Sequence, residues 1–517
     1  MLNQLQNLGD ILPHAAKDYA DKTALIFQEK TFTFRQLDDL TNRLAQSLRK
    51  MGINPGDRVS IYSNNSWQWI VSYYAIAKLG GVINPINVML KPEEVCYVVQ
   101  DCGAKAIILS LDKAGPTREA THGVPGLEYI ISYEDAGGGI LSFEDVLNNG
   151  SSEPMRSNAG PQDISTIGYT SGTTGHPKGA SLSHRAVLVN ACMTANMHMK
   201  TSQDRVVSAL PCAHVYGNVV MHGELALGGT FILLPRFNEL DALEAIQKYR
   251  ATMFEGVPTM YMFLLSYPDL DKFDLSSLTR CTVGGQTMSV DKMVEVEKRF
   301  GCPLLELWGM TELAGLGTTH PYYGKNKLGS IGVPLPYTEA KIVDSEDAAK
   351  TLKAGEIGEL MFRGPIVMDA YWGNEEATRE AIEEDGWLHT GDVCYMDEEG
   401  YIFVVDRKKD MIITAGYNIY PAEIERVILK LEKVAMCAVG KEPDELRGEL
   451  AKAFVVIKPG ETATEEEILS LCREHLANYK VPRGVYFVDH LPTTSTGKIM
   501  RRKLSDLLKP ASHARLS

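Results

Sequence analysis

Apolar positions change their spacing along the chain, and each change predicts a different kind of element. Phe32 and Phe34 fall in a period-two pattern. Leu37, Leu40, Leu44 and Leu48 then recur every three or four residues, so a strand followed by an amphipathic helix is expected. A Gly/Asn/Pro/Asp turn at 52–57 precedes a predicted strand at 58–62. A helix over 67–78 should stop at Gly80-Gly81, because glycine tolerates the left-handed conformation that ends helices. A strand from Val82, a helix over 92–101 and a strand over 106–109 continue the alternation, which predicts a parallel sheet covered by helices.

Further along, residues 130–165 carry Gly137-Gly138-Gly139 and Asn148-Asn149-Gly150 and read as a loose connection. A second α/β series follows over 166–335, and short strands with Gly/Pro/Asp turns over 336–405 predict a small β unit. Strands at 434–439 and 451–457 and a helix near 465–479 predict a compact α+β unit in the last hundred residues. The expected fold class is α/β: a large N-terminal domain of two parallel-sheet α/β subdomains plus a small β unit, with a small C-terminal α+β domain. A length of 517 residues already requires more than one core.

Charge and cysteine usage narrow the function classes. A net charge of −14 argues against a general nucleic-acid or anionic-membrane binder, since phosphate surfaces need clustered Lys and Arg. The nine cysteines are scattered, with no CxxC pair and no His/Cys cluster, so neither a disulfide framework nor a zinc site is suggested. No apolar run approaches the ~18 residues that span a bilayer, and no signal pattern opens the chain. A cytoplasmic protein is the expectation, and whether copies pair as a homodimer is left open.

The most informative segment is Tyr169-Thr170-Ser171-Gly172-Thr173-Thr174-Gly175-His176-Pro177-Lys178-Gly179. It follows a strand-like stretch at 164–168 and precedes a helical one at 184–193. Its glycines let the backbone fold back and aim N–H groups at an anion. The hydroxyls of Thr170, Ser171, Thr173 and Thr174 add donors, and Lys178 adds charge. It is not a Walker A loop, because no Gly-Lys-Ser/Thr occurs.

With this loop, four further signatures occur in order: Trp308-Gly309-Met310-Thr311-Glu312, His389-Thr390-Gly391-Asp392, Asp406-Arg407-Lys408-Lys409-Asp410 and Thr496-Gly497-Lys498. Together they resemble the adenylate-forming superfamily, in its acyl-CoA synthetase and fatty acid–CoA ligase branch, over essentially the whole chain. The resemblance implies ATP, Mg²⁺ and CoA as cofactor and substrates, and a carboxylic acid as the small-molecule partner. It implies an adenylating domain over 1–407, a hinge at 408–412 with Lys409 at the hinge position, and a mobile domain over 413–517.

Site residues follow from the same resemblance. Thr170 to Gly175 and Lys178 would hold the phosphates; Glu312 would hold Mg²⁺, and Thr311 would contact the α-phosphate. Trp308, Gly309 and Met310, with Gly285-Gln286, would line the adenine site, although Leu307-Trp308-Gly309 stands where many relatives have Gly-Tyr-Gly. Asp392 and Arg407 would bind the ribose. Lys498 would stabilise the transferring phosphoryl group, and Gly416 and Tyr417 would line the CoA channel; a plain tight turn is the competing account of Gly416. His214, Val215, Tyr216, Gly217 and Met221 correspond to the acyl pocket, with His214 as a gate or, alternatively, a core histidine. The 210–221 segment lacks acidic residues and arginine, which disfavours amino acids and short dicarboxylates. A medium- or long-chain fatty acid is the first expectation; an aryl or cinnamate-type acid, or delivery to a carrier protein, is the alternative.

Overall fold

The computed structural model describes residues 5–170, 177–345, 347–408, 410–414, 417–444, 448–493 and 499–508. By internal packing the chain forms two units, residues 1–340 with 362–388, and residues 341–361 with 389–517.

In the first unit two sheets have parallel centres, with antiparallel strands at both edges of one and at one edge of the other. One has eight strands, and its parallel centre includes Arg58–Tyr62, Val82–Pro85, Ala104–Leu109 and Ile164–Thr170. The other has nine, with Arg205–Ser208, Thr230–Leu233, Met253–Gly256, Arg280–Gly284 and Leu304–Met310 at its parallel centre. Their strands are mostly apolar and buried, as strands covered on both faces are, with Asn84, Glu255, Thr282 and Glu306 among the buried polar exceptions. The two α/β subdomains expected from the alternation are present.

The sheets do not divide the chain in sequence order. The early strand Thr23–Phe27 pairs in parallel with Thr230–Leu233, placing Leu25 beside Phe231, and so joins the later sheet. Phe34 is not a strand residue. It opens the helix Phe34–Lys50, where Thr33 caps the Gln36 amide and Gln36 returns a bond to the Thr33 amide. That reciprocal box outweighs the period-two pattern. The helix Trp67–Leu79 starts at the Ser66 cap and ends on Gly80 at φ 80°, as its glycines predict, and every residue from Trp69 to Leu79 is buried. The stretch 130–165 is more ordered than expected: Tyr129–Ser132 extends the eight-stranded sheet and Phe143–Asn148 is a short helix.

The strands Gly358–Arg363, Leu388–Met396 and Ile402–Arg407, mostly in the second unit, belong to a four-stranded sheet that begins at Glu339–Val343, which is the expected small β unit. The C-terminal part is an α+β layer. The long pair Val434–Asp444 and Gly448–Ile457 carries the helices Pro421–Ile428 and Glu465–His475 over a core of Ile412, Ile424, Ile428, Val439, Val455, Ile468 and Cys472.

Candidate functional site

Antiparallel pairing brings together the two ends of the hydroxyl-rich segment. Thr170 ends the strand Ile164–Thr170 and lies in register with Lys178, the first residue of Lys178–Ser183. The loop therefore joins two strands, and the helix His184–Met197 begins only after the second of them. Ser171, Gly172, Thr173, Thr174 and Gly175 lie outside the described residues.

Beside the loop's base the first unit assembles a compact polar group. The short strand Ala370–Tyr371 adds antiparallel to Lys178–Ser183, and the Trp372 amide donates to the Gly179 carbonyl at 2.7 Å. Tyr371 is thereby held with its ring 5.3 Å from Lys178 Nζ and its hydroxyl donating to Glu312 Oε1 at 2.8 Å. Burial, then the Glu312 carboxylate, push the Tyr371 phenol well above its ordinary pKa, so it remains a donor. Glu312 sits in the single turn Thr311–Leu313, 7% exposed, with its carbonyl accepting from the Met368 amide. Behind that turn, Gly168 is required by space, because a Cβ there would lie 2.7 Å from Thr311 Cγ2.

Tyr371 was missed in the sequence because it lies in a turn-rich stretch without periodicity. Only its pairing with Lys178–Ser183 brings it to Glu312.

Trp308 and Gly309 straddle a bulge in the pairing of Leu304–Met310 with Gly315–Thr319. The Trp308 ring stacks on Phe362 at 5.5 Å and 15° and covers Gly317, where a Cβ would meet it at 2.7 Å. Gly284 pairs with Leu307, and Gly285 follows at φ 88°, so the turn bearing Gln286 adjoins the Leu307-Trp308 segment. Met310 is half-buried at the end of the same strand.

The acyl-pocket candidates lie on the helix Val215–Ala226. His214 is its N-cap, exposed, with Nδ1 accepting from the Tyr216 amide at 3.3 Å, so it is not a core histidine. Tyr216 and Met221 are buried, and Val215 is half-buried. Gly217 lets the helix approach the preceding turn, because a Cβ would lie 2.4 Å from the Pro211 carbonyl oxygen.

In the second unit, Asp392 and Arg407 are register partners on neighbouring antiparallel strands, with Arg407 Nε 3.1 Å from Asp392 Oδ1. Next to them Glu359 receives Lys408 Nζ at 3.1 Å and lies 3.4 Å from His389 Nδ1. Burial alone would raise the Glu359 carboxyl, but His389 and Lys408 bring it down to about 2. Glu359 is a second member that sequence reasoning missed. Tyr417 is exposed and stacks on Tyr479 with centroids 4.9 Å apart. Lys409, Gly416 and Lys498 lie outside the described residues.

Among the described residues there is no group of three or more His, Cys, Asp or Glu that could cage a metal. Mg²⁺ fits this arrangement, since it binds through one or two carboxylates together with substrate phosphates. Tyr371 engages Glu312 at Oε1, and a carboxylate can use both oxygens.

Two sheets with parallel centres, with an acidic turn beside the strands that flank the hydroxyl-rich segment, are the setting expected of a nucleotide-binding enzyme. Residues 12–372 match the AMP-binding enzyme family, and residues 423–498 match its C-terminal domain. The chain is 36% identical to the long-chain-fatty-acid–CoA ligase of Bacillus subtilis (strain 168), over 96% of this chain and 94% of that protein. Among solved structures it resembles the anthranilate CoA ligase AuaEII in complex with anthranoyl-AMP (TM-score 0.90, 30% identity, 98% of this chain and 99% of the other). It also resembles ATP-bound MatB from Rhodopseudomonas palustris (TM-score 0.89, 31% identity, 97% and 100% covered). The chain belongs to the adenylate-forming superfamily of AMP-binding enzymes, in the branch of AMP-forming acid–thiol ligases. No helix among the described residues is long and apolar enough to cross a membrane.

Proposed function

We propose that the protein is an acyl-CoA synthetase that joins an apolar monocarboxylic acid to the AMP moiety of ATP, releasing pyrophosphate, and then passes the acyl group to the thiol of CoA, releasing AMP. The observation that carries this reading is the Lys178–Tyr371–Glu312 group at the base of the hydroxyl-rich loop. A carboxylate is a poor acyl donor, and the mixed anhydride with AMP supplies the leaving group it lacks. Positioning and charge neutralisation carry such a phosphoryl transfer. In this reading, Thr170, Lys178 and the loop between them hold the triphosphate. Glu312, oriented by Tyr371, holds Mg²⁺, which when bound neutralises charge on the phosphate oxygens. Asp392 accepts the ribose hydroxyls, which suits an acceptor-only group, and Arg407 beside it is the second ribose contact. Trp308, with the Gly285-Gln286 turn, borders adenine.

Lys498 belongs to the domain over 413–517, which turns about the 408–412 hinge, so that Gly416 and Tyr417 serve the CoA step. A medium- or long-chain fatty acid is the first substrate proposed, supported by the similarity to the Bacillus subtilis ligase. An aryl acid is the second, supported by the likeness to the anthranilate CoA ligase. Cytoplasmic residence is part of the proposal. All nine cysteines are free, and Cys281 and Cys302 lie 3.7 Å apart without being joined, which suits a reducing compartment. The test is a panel of carboxylic acids scored by pyrophosphate release, then by AMP and thioester formation on adding CoA. Acid-independent or absent release would reject the proposal.

A further inference from the structure

Between the helix Val215–Ala226 and the nine-stranded sheet runs a buried chain of polar groups that none of the steps above uses. Lys200 Nζ donates to Glu255 Oε1 at 2.6 Å, and Thr282 Oγ1 donates to Glu255 Oε2 at 2.5 Å. The Tyr216 hydroxyl lies 2.6 Å from the same Thr282 oxygen. The Lys200 and Glu255 side chains are 2% and 1% exposed. Glu255 and Thr282 are register partners on adjacent parallel strands, so their side chains leave the sheet on one face, and Tyr216 meets them from the helix.

Proton directions follow from these contacts. Burial alone would raise the Glu255 carboxyl, but Lys200, with His198 and Thr282, holds it below its ordinary value, so it is an acceptor only. Thr282 must therefore spend its proton on Glu255. Its oxygen then accepts from Tyr216, whose phenol burial keeps protonated. The single Tyr216 proton is committed inward, and the ring is tied at its far end to an ion pair.

We propose that Glu255, acting through Thr282, is a positioning residue that fixes the Tyr216 ring as a rigid wall of the acyl site, selecting acids by chain shape and rejecting those with a second carboxylate at the tail. The rejection follows because Tyr216 has no proton left to donate to an anionic tail. This inference rests on the reading of residues 214–221 as the acyl site.

The test measures kcat and KM for pyrophosphate release with monocarboxylic acids of graded length and the matching dicarboxylates, alongside thermal midpoints. Thr282→Val keeps the volume and breaks the relay. It should raise KM for the preferred acid by about tenfold, the equivalent of one buried hydrogen bond, with a much smaller fall in kcat and a flatter length preference. Thr282→Ser should restore the original profile. Tyr216→Phe, which removes only the anchoring oxygen, should reproduce the flattened preference independently. If Thr282→Val lowers the thermal midpoint while the acid profile stays unchanged, the network is merely structural and the inference is overturned. Equal use of dicarboxylates by the unmodified enzyme would overturn it as well. If the unmodified enzyme releases no pyrophosphate with any acid, the proposed function fails and this inference falls with it.

Discussion

Replacing Tyr371 by phenylalanine removes one oxygen and leaves the ring that faces Lys178, so it isolates the bond to Glu312. That bond joins a neutral donor to a carboxylate only 7% exposed, where water does not freely take its place. A hydrogen bond to a charged group contributes about 1.5–3 kcal/mol. At about 1.4 kcal/mol per decade this is a loss of roughly 10- to 150-fold in kcat/KM if the oriented carboxylate matters fully in the transition state. The defect should carry a signature: Glu312 holds Mg²⁺ in the proposed mechanism, so the Mg²⁺ concentration for half-maximal rate should rise in the variant, and excess Mg²⁺ should recover part of the rate. The assay is acid-dependent pyrophosphate release across an Mg²⁺ titration, with thermal unfolding as the control for general damage. Tyr371→Leu, which also removes the ring beside Lys178, should be worse. Should Tyr371→Phe stay within about twofold of the unmodified enzyme at every Mg²⁺ concentration, the claim that Tyr371 orients Glu312 for catalysis would be refuted, since the expected loss is at least tenfold.

Three further outcomes are expected. Gly168→Ala places a methyl 2.7 Å from Thr311 Cγ2, an overpacking cost of about 1–3 kcal/mol beside Glu312; pyrophosphate release should fall, and adding Thr311→Ser, which deletes the clashing methyl, should recover it in part. Burial raises the Glu306 carboxyl to about 8 from an ordinary 4.5, opposed by the Gly329 amide. Across that window the folded chain holds a proton that the unfolded chain has released, so this group lowers stability as pH rises, by about 1.4 kcal/mol per unit. Glu306→Gln should match the parent near pH 5 and exceed it by roughly 2–4 kcal/mol near pH 8 in urea unfolding, and parallel pH curves would contradict the assignment. Lys498→Ala should slow adenylation by roughly 10²–10³ yet largely spare thioester formation from a preformed acyl-adenylate; equal loss in both half-reactions would remove the case for a swinging domain.

Local patterns in the chain were enough to define much of its architecture. The helix Trp67–Leu79 is legible from its apolar run and from Gly80, because capping depends on near neighbours. Strands such as Arg58–Tyr62 and Ala104–Leu109 are legible because covered parallel strands are largely apolar. The candidate nucleotide residues were legible as motifs, since hydroxyls, glycines and a lysine in one segment have few other uses.

Tertiary structure decided the rest. Nothing near Thr23–Phe27 indicates that it will pair with Thr230–Leu233, some two hundred residues away. Phe34 looks extended until the Thr33–Gln36 cap is seen to start a helix there. Tyr371 reaches Glu312, and Lys200 reaches Glu255, only because distant segments are packed against one another. Periodicity reports which face of an element avoids water, a property of adjacent residues. Which elements become neighbours depends on burial summed over the whole core against the entropy of closing long loops, and no short window of sequence contains that sum.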